Sequence, residues 1–257
     1  MEELEYSRLL ACMKRAAAGE ELTIGFFGGS ITQGSLASSD TLTYAYQVYK
    51  WWCDTFKDAV FHYVNGGIGG TTSHFGVSRA YEDVLMYQPD VVVVDFSVND
   101  DADEFFQETY EGVIRKLLSF RTKPAVLVLN NVFYDTGENA QQFHNAVADY
   151  YHVPHVSILD SVYQRMKAGE FTREELTSDG LHPNDKGHGL LAQEIIKYLE
   201  QVKQRAEAAG AGGVPDKNLL PEILPEPLTA NAYEGAERLT IRNCTPELNG
   251  FRADTGE

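Results

Sequence analysis

Short apolar runs alternate along the chain with longer segments of helical periodicity. The apolar runs cover residues 22–27, 60–64, 91–96, 125–129 and 155–159. The first four of them precede helical patterns over residues 42–56, 73–87, 103–120 and 138–151. Strands that alternate with helices in this way are typical of repeated βα units. The pattern predicts a three-layer α/β/α sandwich around a mostly parallel five-stranded sheet.

The alternation is flanked by two further helical patterns and then gives way to a different composition. The flanking helices are predicted over residues 4–18 and 185–203. A stretch rich in Ala and Gly and then four prolines follow, which predicts a domain over 1–205, a linker over 206–236 and a tail over 237–257. Arg238–Asn243 alternates like a strand. This fits either a tail that packs back on the domain or the start of a second, β-rich domain.

Residues suited to chemistry stand directly after the predicted strands. Ser30 follows the first strand, Gly70 lies in the glycine-rich segment after the second, and Asn99 follows the third. Asp179 and His182 come after the last strand and before the final helix. Because functional loops of a parallel sheet gather at the carboxyl ends of its strands, we expect these residues to meet at one edge.

The glycine-rich turns are also typical of phosphate-binding loops, but neither of the two known patterns for such loops is complete here. Gly29 and Gly34 have the glycine spacing of a P-loop, but Ser35 stands where the phosphate-binding lysine belongs. Ser30 and the segment 67–72 each break the dinucleotide fingerprint at one glycine. The sequence therefore predicts no nucleotide cofactor.

The segment Asp179-Gly-Leu-His182 is more informative than the turns. A carboxylate three residues before a histidine can orient the imidazole, and a serine hydroxyl needs such a base to act as a nucleophile. Alone, the motif fits a capped turn with a surface histidine better than a catalytic pair. A metal site needs further ligands at suitable spacing, and the three widely spaced cysteines do not supply them. We expect neither a metal nor a cofactor.

Four separated blocks together resemble the SGNH/GDSL hydrolases, a family of serine esterases. They are Gly-Gly-Ser30-Ile-Thr, Asn65-Gly-Gly-Ile-Gly-Gly70-Thr, Ser97-Val-Asn99-Asp100 and Asp179-Gly-Leu-His182-Pro, in that order. The resemblance implies a flavodoxin-like fold and a catalytic triad of Ser30, His182 and Asp179. It also implies an oxyanion hole made by the backbone N–H groups of Ser30 and Gly70 and the side-chain amide of Asn99.

Two positions depart from the family pattern. Gly29 stands where the family usually has an aspartate beside the nucleophile, which leaves the triad itself intact. Ser97 replaces the glycine that usually precedes the asparagine by two positions. We expect the Ser97 side chain to narrow the substrate pocket or to add a hydroxyl contact there.

Charge restricts the partners of the protein. The chain of 257 residues has 38 acidic and 21 basic residues and a formal charge of −17, which opposes binding to nucleic acid or anionic membranes. The first residues are neither basic nor apolar as in a secretory signal, and no run is long enough to span a bilayer. We therefore predict a cytoplasmic protein that acts on a small neutral ester.

The resemblance extends to bacterial carbohydrate acetylesterases. It implies hydrolysis of O-acetyl esters on mannan- or xylan-derived oligosaccharides, and some relatives carry a carbohydrate-binding β-domain after the catalytic one, as the tail would suit. A lysophospholipase or acyl-thioester hydrolase is the alternative within the same chemistry. An inactive carbohydrate-binding protein is the alternative from another class.

Other conspicuous side chains lack a partner motif. We expect solvent-facing or packing roles for the remaining histidines, which are His62, His74, His144, His152, His155 and His188. The aromatic run of the first βα helix, which includes Tyr44 and Trp52, is predicted to be core. Tyr134 and Asp135 fit a substrate contact and a plain loop equally well.

Overall fold

The computed structural model describes residues 6–209, 223–240 and 243–245, and the single positions 247, 249, 250 and 252. Its centre is a five-stranded sheet in the order β2-β1-β3-β4-β5, with every neighbouring pair parallel. The strands are β1 (Glu21–Gly28), β2 (Val60–Gly67), β3 (Val91–Asp95), β4 (Ala125–Asn130) and β5 (His155–Ser157). The predicted fold class is confirmed.

Helices cover both faces of this sheet. They are α1 (Ser7–Ala17), α2 (Ser30–Gln33), α3 (Tyr44–Thr55), α4 (Ser73–Asp83), α5 (Glu104–Ser119), α6 (Gln141–Tyr150), α7 (Gln164–Lys167) and α8 (Asp185–Ala209). Short 3-10 turns at Asp40–Leu42 and Leu85–Tyr87 take up the ends of two predicted helices. β5 is shorter than the apolar run 155–159 because a π-helical turn already begins at Leu159.

Alternating side chains of the strands divide the core into two layers. In β3, Val91 and Val93 belong to the layer that also contains residues of α1, α3 and α8, whereas Val92 and Val94 belong to the layer of α4, α5 and α6. This is the period of two that a strand buried on both faces requires. Tyr44 and Trp52 of α3 are fully buried, so the predicted core role of the aromatic run is confirmed for them.

The strand order places one crevice at the functional edge. From β1 the chain continues to β2 on one side, while β3 pairs with β1 on the other, so the order reverses beside β1. Ligands of open parallel sheets bind at such a switch point, outside the carboxyl ends of the strands. In the register, Gly28 pairs with both Gly67 and Asp95, and the loops that follow these three residues therefore start side by side.

Residues 223–240 lie across the outer surface of α4, α5 and α6. Glu111, a fully buried carboxylate of α5, accepts hydrogen bonds from the N–H groups of Leu228 (2.6 Å) and Thr229 (2.8 Å), and also binds the Tyr151 and Thr229 hydroxyls. Although burial opposes ionisation, these hydrogen bonds lower the pKa of Glu111. The segment is thus fastened by a charged anchor rather than by apolar packing alone.

The C-terminal region differs in part from the sequence-based expectation. α8 continues to Ala209, beyond the predicted domain end at 205. The strand predicted over 238–243 is not formed at residues 238–240, and residues 241 and 242 lie outside the described residues, as does most of 206–222. Arg238 instead donates its N–H to Ser78 O (2.9 Å) and pairs with Glu82. The division into domain, linker and tail stays a prediction.

No helix within the described part of the chain combines the length and the apolar character that crossing a membrane requires.

Replacing the buried anchor should loosen the C-terminal segment. Glu111→Gln puts an amide N–H₂ among N–H and O–H donors, and hydrogen bonds to a charged group contribute about 1.5–3 kcal/mol each. We expect the opening free energy at Leu228 and Thr229, measured by hydrogen exchange, to fall by about that amount. Glu104→Gln, at an exposed position in the first turn of the same helix, is the matched control. Unchanged exchange at Leu228 and Thr229 would contradict the anchor role.

Candidate active site

The turn that carries Ser30 is built from backbone positions that leave no space for a side chain. β1 ends at Gly28, and Ser30 begins the single-turn helix α2. A Cβ on Gly28 would lie 2.3 Å from Asp95 O, and one on Gly29 would lie 2.2 Å from Asn99 Oδ1. The two glycines therefore let the turn pack directly against the end of β3 and the Asn99 side chain.

Ser30, His182 and Asp179 form one continuous chain of hydrogen bonds. Ser30 Oγ lies 2.8 Å from His182 Nε2, and His182 Nδ1 lies 2.7 Å from Asp179 Oδ2. The sequence predicted this set across a separation of about 150 positions, and the structure brings all three side chains together. With Nδ1 held by the carboxylate, Nε2 is the nitrogen that faces the serine.

Asp179 is oriented by the tight turn that contains it. Its Oδ1 accepts the N–H groups of Leu181 (3.0 Å) and His182 (2.8 Å). An isolated bridge between Thr177 and Pro183 closes the turn. Partial burial works against ionisation, but the hydrogen bonds from His182 and Leu181 hold the pKa of Asp179 well below its usual range. The carboxylate is therefore charged whenever the imidazole needs support.

The loop after β4 supports this turn from the outside. Tyr134 donates its N–H to Gly180 O (2.7 Å), and the Tyr134 ring is buried. Asp135 pairs with Arg173 (2.7 Å), and a Cβ on Gly180 would lie 2.0 Å from Asp135 Oδ2. Of the two roles left open by the sequence for Tyr134 and Asp135, the structure shows the supporting loop.

Three hydrogen-bond donors lie open beside Ser30. A Cβ on Gly69 would lie 3.7 Å from Ser30 Cβ, so the glycine loop passes next to the serine. Gly69 N–H is taken by Gln33 Oε1 (2.9 Å), whereas the next residue, Gly70, has a left-handed φ of 70°. Among the described residues no acceptor binds the N–H groups of Ser30 and Gly70 or the side-chain amide of Asn99. These are the three donors that the resemblance implied.

A buried arginine connects the Ser30 turn to the glycine loop. The fully buried side chain of Arg79 donates to Gly28 O (2.8 Å), Gly66 O (2.7 Å) and Thr71 Oγ1 (2.9 Å). It also pairs with Asp83 (2.9 Å), and its guanidinium lies over the Phe27 ring at 4.6 Å. Nothing in the local sequence around Arg79 indicated this role.

Asp100 and His144 form a second feature that the sequence did not predict. Asp100 Oδ1 accepts the N–H of Ser73 (2.8 Å), and Asp100 Oδ2 lies 3.0 Å from His144 Nε2. His144 is fully buried and stacks on Tyr110 at 3.7 Å. His144 therefore has a specific partner, the Asp100 carboxyl group. The sequence suggested only a packing or solvent-facing role for this histidine. The pair fixes the backbone next to Asn99 to the start of α4.

His188 holds the loop that follows Ser30. Its Nδ1 accepts the N–H of Tyr44 and its Nε2 donates to Ser35 O, both at 3.2 Å. Asp185, one turn earlier in α8, accepts the N–H and hydroxyl of Ser38, each at 2.7 Å. The first turn of α8 thus joins the Ser30 loop to the segment that carries His182. The partners are about 150 residues apart, so no local pattern could reveal them.

Ser97 does not act as expected. It is fully buried, and its hydroxyl lies 3.3 Å from Asp95 Oδ1 and 3.2 Å from Asn131 O. The expectation that Ser97 narrows the pocket or contacts substrate is wrong, because the hydroxyl joins a polar network behind Asn99. Within this network, burial raises the pKa of Asp95 to about 7, against the hydrogen bonds from Asn131 and Ser97.

No group of three or more His, Cys, Asp or Glu side chains in the described residues could hold a metal ion.

A serine hydrogen-bonded to a histidine–carboxylate pair, at the switch point of a parallel sheet and beside open N–H donors, is the arrangement that serine hydrolases use. The profile of the GDSL-like lipase/acylhydrolase family matches residues 26–190, which is more than half of the chain. The chain belongs to the GDSL-like lipase/acylhydrolase family.

Several known proteins are similar to this chain. A two-domain esterase active on acetylated mannans, solved with mannopentaose, is 50% identical with a TM-score of 0.82. The alignment covers 90% of this chain but 59% of that esterase, so the chain spans less than two thirds of its length. An acetylxylan esterase from Geobacillus stearothermophilus shares the fold at 15% identity and a TM-score of 0.58, over 69% of this chain and 94% of its own. An arylesterase of Vibrio mimicus is 22% identical over 64% of this chain and 88% of its own length.

The raised pKa of Asp95 predicts a pH-dependent stability. Its folded pKa of about 7 lies above the unfolded value of about 3.9, so the folded state retains a proton that the unfolded state loses. Stability is therefore lost as pH rises between these two values. We expect Asp95→Asn to gain up to about 3 kcal/mol of unfolding free energy relative to the parent between pH 5 and pH 8, measured by urea denaturation. Parallel pH profiles of parent and variant would contradict this, and exposed Asp101→Asn is the control.

Proposed function

We propose that this protein is a serine esterase that hydrolyses O-acetyl esters of hemicellulose-derived oligosaccharides through an acyl-enzyme on Ser30. The observation that carries the proposal is the unbroken hydrogen-bonded chain from Ser30 through His182 to Asp179. A serine hydroxyl is a weak nucleophile until a positioned base accepts its proton. Membership of an acylhydrolase family supports the same chemistry.

The proposed reaction proceeds in two steps that use only protein groups and water. Ser30 Oγ attacks the acetyl carbonyl carbon while His182 Nε2 takes the hydroxyl proton. The tetrahedral intermediate collapses when His182 returns that proton to the departing sugar oxygen, which leaves acetyl-Ser30. Water, deprotonated by His182, then releases acetate and restores the serine. Asp179 stabilises the imidazolium in both steps.

The open donors supply the main electrostatic stabilisation in this proposal. The N–H groups of Ser30 and Gly70 and the Asn99 amide would bind the oxyanion that develops on the acetyl oxygen. Each donor of this kind contributes about 10²–10³ in rate, because it is oriented before the reaction starts. The Arg79 and Asp100 contacts hold the backbone around these donors.

A cavity next to the site offers partners for sugar hydroxyl groups. It has a volume of about 280 Å³ and borders the glycine loop, and its lining residues are Gln33, Asp40, Thr43, Tyr63, Asn65 and Gly67. The amide, carboxylate and hydroxyl groups of this lining can hydrogen-bond the hydroxyls of a sugar. The similarity to the mannan-active esterase and the acetylxylan esterase supports acetylated mannan or xylan oligosaccharides. Cytoplasmic location remains a prediction from the sequence.

Ser30→Ala should abolish acetate release. We expect parent protein to release acetate from acetylated mannan or xylan oligosaccharides and the variant to fall by at least about 10³-fold, because the nucleophile is lost. Ser119→Ala, at the C-terminal end of α5, is the matched control because that end of the helix points away from the edge that carries Ser30. A variant as active as the parent would overturn the acyl-enzyme on Ser30, and a parent that releases no acetate would favour the inactive carbohydrate-binding alternative. Across p-nitrophenyl esters, preference for long acyl chains would instead favour the lysophospholipase or thioesterase alternative.

Gly29→Ala should displace the Asn99 amide, one of the proposed oxyanion donors, without changing the Asn99 side chain itself. The added methyl would lie 2.2 Å from Asn99 Oδ1, so the Asn99 amide must move. We expect kcat on p-nitrophenyl acetate to fall about 10²–10³-fold, as for Asn99→Ala, and the double variant to lose little more. In the control Gly189→Ala, the new methyl meets only Gln47 Oε1 at 3.8 Å. Fully additive losses would show that Gly29 and Asn99 act independently.

A further inference from the structure

Three aromatic rings from separate segments meet at the edge of the sheet that carries Ser30. His74 is the second residue of α4, Phe105 is the second residue of α5, and Tyr233 comes from the C-terminal segment. Their ring centroids lie 5.2 Å apart for His74 and Phe105, 5.3 Å for His74 and Tyr233, and 5.7 Å for Phe105 and Tyr233. We call these three residues the aromatic rim.

The aromatic rim lies close to the oxyanion donors. His74 follows Gly70 by four residues, so their Cα atoms are at most about 14 Å apart. Ser73, directly before His74, donates its N–H to Asp100, and Asp100 directly follows Asn99. Both helices begin at the carboxyl ends of their strands, on the same edge as the nucleophile. A few linked sugar units extending from the acetyl group can therefore reach the rim.

The rim remains accessible although its rings are held in place. Phe105 keeps 40% of its surface exposed, His74 is exposed, and Tyr233 is half-buried. Both neighbours of Tyr233 are fixed: Ala232 donates its N–H to Glu108 (2.8 Å), and Glu234 pairs with Arg115 (2.8 Å). A ring held this way loses little conformational entropy when a ligand binds.

The chemistry of the rim suits a neutral sugar. Aromatic faces bind the apolar faces of pyranose rings, while sugar hydroxyls donate to nearby acceptors. Asp101, Asp103 and Glu104 are exposed directly before Phe105 and supply carboxylate acceptors. The same carboxylates and the net charge of −17 repel an anionic ligand.

We propose that His74, Phe105 and Tyr233 form a sugar-binding subsite that stacks against the oligosaccharide carrying the acetyl ester, outside the position where the ester is cleaved. The proposal rests on the function proposed above and adds to it the part of the chain that recognises the carbohydrate. It also gives the C-terminal segment a direct part in substrate binding through Tyr233.

The test compares two substrates in variants of the rim. For Phe105→Ala and Tyr233→Ala we expect KM for an acetylated manno-oligosaccharide to rise about fivefold, with kcat little changed. Hydrolysis of p-nitrophenyl acetate, which has no sugar, should stay within about twofold of the parent. Phe105→Tyr keeps an aromatic face and should retain the parent KM. Tyr81→Ala, an exposed aromatic position further along α4, is the matched control.

Binding of unacetylated mannopentaose, measured by calorimetry on the full chain, gives a readout without catalysis. We expect the parent to bind it and the two alanine variants to bind it about fivefold more weakly. Equal losses on both ester substrates, or no loss on either, would overturn the subsite. A parent that hydrolyses p-nitrophenyl acetate but binds neither mannopentaose nor xylopentaose also overturns it, while the esterase proposal survives. The esterase proposal itself is tested separately, by acetate release from the Ser30→Ala variant.

Discussion

The candidate site depends on one buried charge, the guanidinium of Arg79. Two strands end and two loops leave the sheet around it. Arg79 binds the carbonyls of Gly28 and Gly66 and the hydroxyl of Thr71 with one planar group, beside the backbone hydrogen bond from Ile68 N–H to Gly28 O. Arginine suits this task because its donors point in fixed directions within a plane. Without it, each of these acceptors would lose one hydrogen bond, and such a bond from a charged donor contributes about 1.5–3 kcal/mol.

Other buried polar groups, further from Ser30, also join separate segments of the backbone. Asp100 fixes the start of α4, His188 fixes the loop after α2, and Glu111 fixes the C-terminal segment. Each ties together segments that are distant along the chain. His188 and Glu111 lie on helices that the apolar core already holds, and Asp100 lies in the loop after β3. The open donors near Ser30 keep their positions without partners of their own because hydrogen bonds hold the backbone on either side of them. A polar group left free in water-filled space costs little, whereas a misplaced oxyanion donor loses its effect.

The sequence predicted the layers of the fold because their information is local. The valine run of β3 and the helical periods around it determine burial on both faces, and residues 91–95 form the strand. The site residues could be predicted because four short blocks keep a recognisable order, although Ser30 and its glycines alone fit several kinds of loop.

What the sequence did not reveal depends on pairs of residues far apart. His144 finds Asp100 across 44 positions, and Glu111 finds Thr229 across 118. A single sequence holds no pattern that links such partners. Ser97 was misjudged for a related reason: its position beside the site was clear, but its hydroxyl binds Asn131 O, directly after the end of β4. The extension of α8 to Ala209 was missed because its last turns contain alanine and glutamate without an apolar period.

The anchoring of the C-terminal segment on Glu111 has a consequence for the order of folding during synthesis. Glu111 leaves the ribosome more than a hundred residues before Leu228 and Thr229, its backbone partners. Until they arrive, the carboxylate stays hydrated on a helix whose inner face can already pack. Closing so long a loop costs little more than closing a short one, since the entropy grows only with the logarithm of length. The segment can therefore dock last onto a finished surface, and Tyr233 reaches its place beside His74 only at that final step.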